Sequence, residues 1–252
     1  MKVLVKASLL ERIRRKELYI IFAIGALMIL LTCTGNSSIS INGESLVGFE
    51  NKLMIFQIMV NFFSCILAVV LSMHTIPNEY ERRNSHLVWI RGISQRKYHG
   101  SLCIANAIVC MMVLLVFYLM LGVFVVMNGQ AALLLKVLPA YFITGINVLF
   151  VSALTGALSV IVPTFITGTI GIVCVVLGTF YPVISLAKDV LGGLGGQLLS
   201  IALKVIPNLH GVQNQAYRMM LGQDMSINKI LAVLLGIYVV SMGIVFFKKK
   251  EA

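Results

Sequence analysis

The sequence predicts an all-α, polytopic membrane protein, and three observations predict that class. Hydrophobic residues make up 59% of the 252 residues and charged residues only 12%, whereas a soluble domain averages about 25% charged residues. Six apolar stretches have close to the roughly 20 residues that a helix needs to cross a bilayer core. None of these stretches contains Asp, Glu, Lys or Arg. The predicted transmembrane helices are 18–34, 53–73, 103–127, 137–162, 165–187 and 230–247, within a single transmembrane domain, 1–252.

The distribution of basic residues predicts the orientation of these helices. The net charge is +11, and 14 of the 20 Lys and Arg residues lie in 1–17, in 74–102 and after 247. Cytoplasmic segments carry an excess of Lys and Arg. With an even number of spans, both termini are therefore expected in the cytosol. The same bias accounts for the positive charge, so nucleic-acid binding is not expected.

Residues 1–17 are predicted to form an amphipathic helix ahead of the first span. Val3, Ala7, Leu10 and Ile13 recur at intervals of three and four, while basic residues occupy the other faces. Such a helix lies in the headgroup layer with its apolar side towards the acyl chains. The alternative is a charged start that only sets the topology.

The second span, 53–73, carries polar residues on one face. Gln57, Asn61 and Ser64 repeat at helical spacing, and such residues usually turn inward and hydrogen-bond a neighbouring helix. The functional alternative makes Gln57 and Asn61 candidate residues of a transport pathway.

The segment 188–229 before the last span is predicted to contain a re-entrant or interfacial helix. It opens with the glycine-rich KDVLGGLGGQ, and its apolar part, 198–206, is too short to span a bilayer. Backbone at membrane depth is tolerated only where protein covers it or where it lines a cavity.

The polar stretch 77–102, within the loop 74–102, separates the second and third spans and has the composition of a docking element. It contains an apolar run, 87–90, flanked by arginines, and interface hot spots favour Trp, Tyr and Arg. The alternative places Trp89 in the interfacial aromatic belt and the arginines at lipid headgroups. The candidate docking residues are Glu79, Glu81, Arg82, Arg83, Leu87, Trp89, Arg91 and Arg96.

No motif for catalysis or metal binding is found. The sequence lacks GxxxxGK[ST], HExxH and GxSxG, the four histidines are scattered, and the five cysteines all lie in spans without CxxC spacing. The histidines are expected to be interfacial or loop residues, and the cysteines to be packing residues. We therefore predict no catalytic residue, no metal site and no cofactor bound by this chain, which is not expected to be an enzyme.

The stretch IPNEYERRNSHLVWIRGISQRKYHGSL, residues 76–102, resembles the cytosolic loop of type-2 ABC export permeases. In that family a Glu-containing start leads into a short helix and then into a Gly/Pro-x-Ser-Arg-like turn. The corresponding residues here are Glu79, Asn84-Ser85 (where Gly-Thr is common) and the stretch from Gly92 to Arg96. The amphipathic N-terminal helix, the six spans and the broken segment before the last span extend the resemblance over most of the chain.

The resemblance implies a permease subunit without an ATPase site of its own, in a plasma membrane of bacterial type. A separate ABC ATPase, which binds ATP and Mg, would dock on the loop, and a second copy or a homologous permease would complete the pathway. The family branch implied is bacteriocin, lantibiotic or drug export or self-immunity, with a peptide, lipid or drug-like substrate. The alternative function is a membrane scaffold or sensory subunit that recruits a cytosolic partner without transport.

Overall fold

The computed structural model describes residues 2–14, 16–34, 40–41, 44–45, 48–81, 88–191, 193–223 and 228–247. The helices are α1 (Lys2–Ile13), α2 (Lys16–Thr34), α3 (Phe49–Met73), α4 (Pro77–Glu81), α5 (Gln95–Met127), α6 (Leu134–Ile161), α7 (Thr164–Thr179), α8 (Tyr181–Leu191), α9 (Gly193–Val205), α10 (Leu209–Leu221) and α11 (Asn228–Phe247). A short 3-10 helix, Ala131–Leu133, precedes α6. Strand in the described residues is limited to a two-residue antiparallel pair, Ser40–Ile41 with Glu44–Ser45. The predicted all-helical class is confirmed.

Three helical stretches are long and apolar enough to cross a membrane. They are Phe49–Glu81, Gln95–Met127 and Ala131–Ile161, and they contain the predicted spans 53–73, 103–127 and, to within one residue, 137–162. Thr164–Thr179 and Tyr181–Ala187 make a fourth if the bent pair is counted as one span. The described residues thus provide three such spans, or up to four, where the sequence predicts six.

The first and last predicted spans correspond to α2 and α11. Several side chains of both helices lie outside the described set. The described apolar part of α11, Val233–Phe247, is shorter than the other spans.

The predicted span 165–187 is broken rather than continuous. Helix α7 ends at Thr179, α8 begins at Tyr181, and their axes differ by 72°. Pro182 has no backbone N–H, and its ring would clash with the carbonyl four residues earlier in a continuous helix. The chain therefore turns at Phe180.

Helix α6 is the centre of the bundle, in contact with α3, α5, α7, α10 and α11. Close approach of α3 and α7 depends on Gly171, because a Cβ there would lie 2.7 Å from a methyl of Val69. Small residues allow such packing inside lipid, where no hydrophobic drive holds helices together. The core is completed by large buried side chains, among them Phe56, Phe117 and Phe150.

Helix α10 is packed inside the bundle against α6 and α3. Asn208 caps its first turn by accepting a hydrogen bond of 2.7 Å from the Gly211 N–H. Gly222 ends it in the left-handed conformation at φ 77°, and the Lys136 ammonium would lie 2.5 Å from a Cβ at this glycine. A cation beside the C-terminus of a helix is favourable because the last carbonyls carry partial negative charge.

The N-terminal helix α1 packs along α5. Leu4 and Leu9 contact buried clusters of the bundle, whereas Ala7 and Leu10 of the predicted apolar face are exposed, Leu10 by 46%. The side chains of Val3 and Ile13 lie outside the described set. An exposed leucine on a helix that also contacts the bundle is consistent with a position at the lipid surface.

Candidate functional site

The described part of the loop consists of two short elements at the same end of the bundle, hereafter the loop end. Helix α4 starts at Pro77, a favoured first helical position because proline has no N–H to satisfy there. Residues 88–90 form one helical turn, closed by a hydrogen bond of 2.8 Å from the Gly92 N–H to the Trp89 carbonyl. Gly92 has φ 73°, a conformation that favours glycine. The chain then enters α5.

An apolar cluster lies directly beneath these two elements. This loop-end cluster consists of the buried residues Ile76, Tyr98, Leu102, Ala157, Val160 and Val245, with Leu4, Tyr80 and Val88 packed against it. Its members come from α1, α4, α5, α6, α11, the turn 88–90 and, for Ile76, the link between α3 and α4. The turn is therefore in packing contact with the cluster that joins the ends of these helices.

Hydrogen bonds tie α4 to α5 at the same place. The Tyr98 hydroxyl donates to the Glu79 carboxylate, and the Gln95 amide donates to the Tyr80 hydroxyl at 2.8 Å. The Tyr80 hydroxyl is also 2.9 Å from Nε2 of His99. Three side chains of the first turns of α5 therefore hold the short helix α4 in place.

The end of α11 is held by the same turns of α5. His99 Nδ1 lies 3.4 Å from the Val245 carbonyl oxygen, and the Arg96 guanidinium lies 4.8 Å over the centre of the Phe247 ring. A Cβ at Gly100 would come within 2.7 Å of the Phe246 ring. The loop, through α4 and α5, is thus in contact with the last helix of the chain.

The predicted docking residues divide into inner and outer positions. Glu79 is only 7% exposed and accepts a hydrogen bond inside the site, whereas Glu81, Arg91 and Arg96 are exposed. Arg82, Arg83 and Leu87 lie outside the described residues. The role of all these residues in docking stays a prediction.

The exposed apolar tip of the turn is Ile90 rather than Trp89. The Trp89 ring is partly buried and meets Tyr80 edge-on, with centroids 5.9 Å apart. Ile90 is 82% exposed and precedes the exposed Arg91. The sequence places both residues in one apolar run, and only their packing shows which one faces outward.

Of the two expected locations for the histidines, interfacial or loop, the structure excludes a loop position for His99. It is fully buried in α5 and bonded on both ring nitrogens. The sequence around His99 does not reveal its burial, because its partners are distant in the chain. Tyr80 lies 19 residues earlier and Val245 lies 146 residues later.

The Tyr80 hydroxyl gives a direct test of this network. We expect Tyr80→Phe to lower the melting temperature of the detergent-solubilised protein, because Gln95 and His99 lose a partner. A buried polar group left unpaired costs about 1–3 kcal/mol. Tyr19→Phe is the matched control, since Tyr19 is exposed. Equal melting temperatures for the two variants would show that the network does not stabilise the fold.

The polar face of α3 points into the bundle, as its spacing predicts. The Gln57 amide donates to the hydroxyls of Tyr118 and, at 2.9 Å, Thr144. Asn61 accepts a hydrogen bond of 3.0 Å from the Asn147 amide. Both α3 residues are completely buried, so any pathway lined by them is closed in this conformation.

A second polar group lies nearer the loop end. Asn106 donates to the hydroxyls of Ser72 and Ser152, at 2.7 and 2.9 Å. These residues line a small cavity of about 60 Å³ together with Tyr238 of α11. A volume of that size accommodates water.

A larger groove of about 520 Å³ lies between α5 and α6 at the opposite end. Its walls are apolar, with Leu119, Val123 and Leu138 among them, and the Tyr118 hydroxyl is turned away towards Gln57 and Thr144. In a bilayer such a groove suits acyl chains. Within the described residues, no group of three or more His, Cys, Asp or Glu side chains is placed to hold a metal ion.

No family model matches this chain, and no curated protein shows significant similarity to it. The functional conclusion therefore depends on the arrangement of the residues described above.

Proposed function

We propose that this chain is the membrane-spanning permease subunit of an ATP-driven, type-2 ABC exporter. One observation carries the proposal. The turn 88–90 presents Ile90 and Arg91 outward, while its inner residues Val88 and Trp89 pack on the loop-end cluster. A partner bound to the outer side would therefore act on several helices at once.

The proposed coupling begins where the ATPase touches Ile90 and Arg91. Movement of the turn passes to Tyr80 through the edge-on contact with Trp89, and from Tyr80 to His99 through their hydrogen bond. His99 contacts the end of α11. Nucleotide-driven closure of two ATPase subunits would pull on two such loops and reorganise the pathway.

The remaining features of the proposal follow from the sequence. Six spans form when α2, α11 and the bent α7–α8 pair are added to the three long helices, with α9 and α10 as the re-entrant segment. Both termini lie in the cytosol of a bacterial-type cell, and α1 lies at the inner membrane surface. The ATPase binds ATP and Mg, a second permease completes the assembly, and Gln57 and Asn61 lie on the path of a peptide, lipid or drug-like substrate.

Recovery of the partner tests the proposal. The detergent-solubilised protein, purified from its native host, is expected to bring down an ATPase with Walker motifs. The variant Ile90→Ala/Arg91→Ala is expected to lose it, while Gln130→Ala/Leu135→Ala, changed at exposed positions of the opposite end, retains it. Mass spectrometry identifies the partner. Recovery of a different cytosolic protein, or of none, would instead support the scaffold or sensory subunit.

A further inference from the structure

Buried polar atoms without partners are concentrated where α3, α6 and α10 meet. We call this the interior seam, formed by Gln57, Asn61 and Ser64 of α3, Asn147 of α6 and Gln213 of α10. All five side chains are buried. Each keeps one polar atom with no hydrogen-bond partner among the described residues, namely Gln57 Oε1, Asn61 Nδ2, Ser64 Oγ, Asn147 Oδ1 and Gln213 Oε1.

The two asparagines show that the seam is not built only to hold helices together. The Asn147 amide donates twice, to Asn61 Oδ1 at 3.0 Å and to the Leu209 carbonyl at 2.8 Å. Asn61 Nδ2, a donor, and Asn147 Oδ1, an acceptor, have no hydrogen-bond partner among the described residues. Apolar residues of the same shape would avoid the cost of these unpaired groups. The leftover hydrogen-bonding capacity is therefore available to another molecule.

The chemistry of the seam is neutral. Its free atoms are amide oxygens, a hydroxyl and one amide donor, and the ionisable Glu79 is buried at the distant loop end. A charged group would enter without a counter-ion, at high cost inside a membrane, whereas water, amides and hydroxyls match the free atoms.

Helix α10 closes the seam from one side. The Leu209 carbonyl at its start is bound by Asn147, and Gln213, one turn later, contributes a free oxygen. The helix has only 13 residues and is bounded by Asn208 and by the left-handed Gly222. A short helix with a break at each end can shift without unfolding its neighbours.

We propose that the interior seam is a hydrated binding site for the uncharged amide or hydroxyl groups of the exported molecule, and that α10 is its cover. The identity of the ligand as an exported molecule rests on the proposed function. The hydration of the seam does not rest on it, because no ATPase is needed to observe it.

Cysteine labelling tests hydration. Ser64→Cys, in a variant whose five native cysteines are replaced by alanine, is exposed in membrane vesicles to a small hydrophilic methanethiosulfonate. A thiol reacts as its thiolate, which water stabilises. We expect at least about tenfold faster labelling than for Leu114→Cys, a buried position among apolar residues of α5. Equal slow labelling of the two would overturn the proposal.

A second variant tests the site if the cysteine-free protein does not fold. Asn61→Leu/Asn147→Leu removes the free donor and acceptor in the otherwise native chain. We expect an unchanged or higher melting temperature together with loss of export, because the seam is then apolar. A melting temperature lowered by several degrees would show that the asparagines serve as helix–helix contacts only, and the inference would fail.

The two proposals fail separately. If the unmodified protein brings down no Walker-motif ATPase, the exporter assignment fails, while the labelling of the seam is unaffected. A dry seam would leave the docking at Ile90 and Arg91 intact and would exclude only the binding site.

Discussion

Ile90→Asp/Arg91→Glu is expected to reduce ATP-dependent export by about a hundredfold or more, with membrane insertion and melting temperature unchanged. Removing one interface hot spot costs about 2 kcal/mol or more, and every 1.4 kcal/mol is about tenfold in Kd. Both side chains are exposed, so their replacement leaves the loop-end cluster intact. Export is measured in inverted vesicles that contain this chain together with the proposed ATPase.

The charge reversal has a matched control at the opposite end of the bundle. Gln130→Glu introduces a negative charge at an exposed position that takes no part in the proposed docking, and full export is expected. If the Ile90/Arg91 variant exports as well as this control, the turn 88–90 is not the docking surface. If it fails to insert, Ile90→Ser, which adds no charge, measures the apolar contact alone.

Gly178→Ala adds only one methyl group but is expected to destabilise the protein strongly. A Cβ at this position would lie 2.6 Å from the Pro207 carbonyl oxygen and 2.8 Å from Cγ of Leu209. The first contact is with backbone, which cannot rotate aside. Overpacking of this kind typically costs about 1–3 kcal/mol. The measurement is the melting temperature in detergent, where a drop of several degrees is expected.

Gly156→Ala is the control for this effect. Gly156 is also a helical glycine inside the bundle, but a Cβ there meets nothing within 4 Å. Alanine favours helix over glycine by about 1 kcal/mol, so the control is expected to keep or raise the melting temperature. If the two variants lose the same number of degrees in melting temperature, any added side chain disturbs the bundle. The contact with the turn before α10 would then not explain the effect of Gly178→Ala.

The sequence predicts those parts of the fold that depend on local composition. A charge-free apolar stretch of sufficient length is visible without any partner, and α3, α5 and α6 contain the predicted spans to within one residue. Helix α5 begins earlier than predicted, at Gln95 inside the predicted loop 74–102. The inward turn of Gln57 and Asn61 follows from their spacing alone. The bend at Phe180 depends on the single residue Pro182. The apolar composition of the whole stretch 165–187 predicts one span and does not reveal the effect of this proline.

The candidate site depends on contacts between distant segments, which local patterns do not contain. Tyr118 and Thr144, the partners of Gln57, lie 61 and 87 residues further along the chain. The burial of His99 and the outward position of Ile90 both result from the packing of the loop on α1, α5, α6 and α11. Composition predicts that the loop is polar, but only the fold separates its inner residues from its outer ones.

The central position of α6 bears on the order of assembly during synthesis. Its partners α3 and α5 are made before it, whereas α7, α10 and α11 are made after it. Until α6 is made, Gln57 and Asn61 on the polar face of α3 therefore lack their partners Thr144 and Asn147. Domains generally fold as units during synthesis, and the loop-end cluster is complete only after Val245, near the end of α11, has been made.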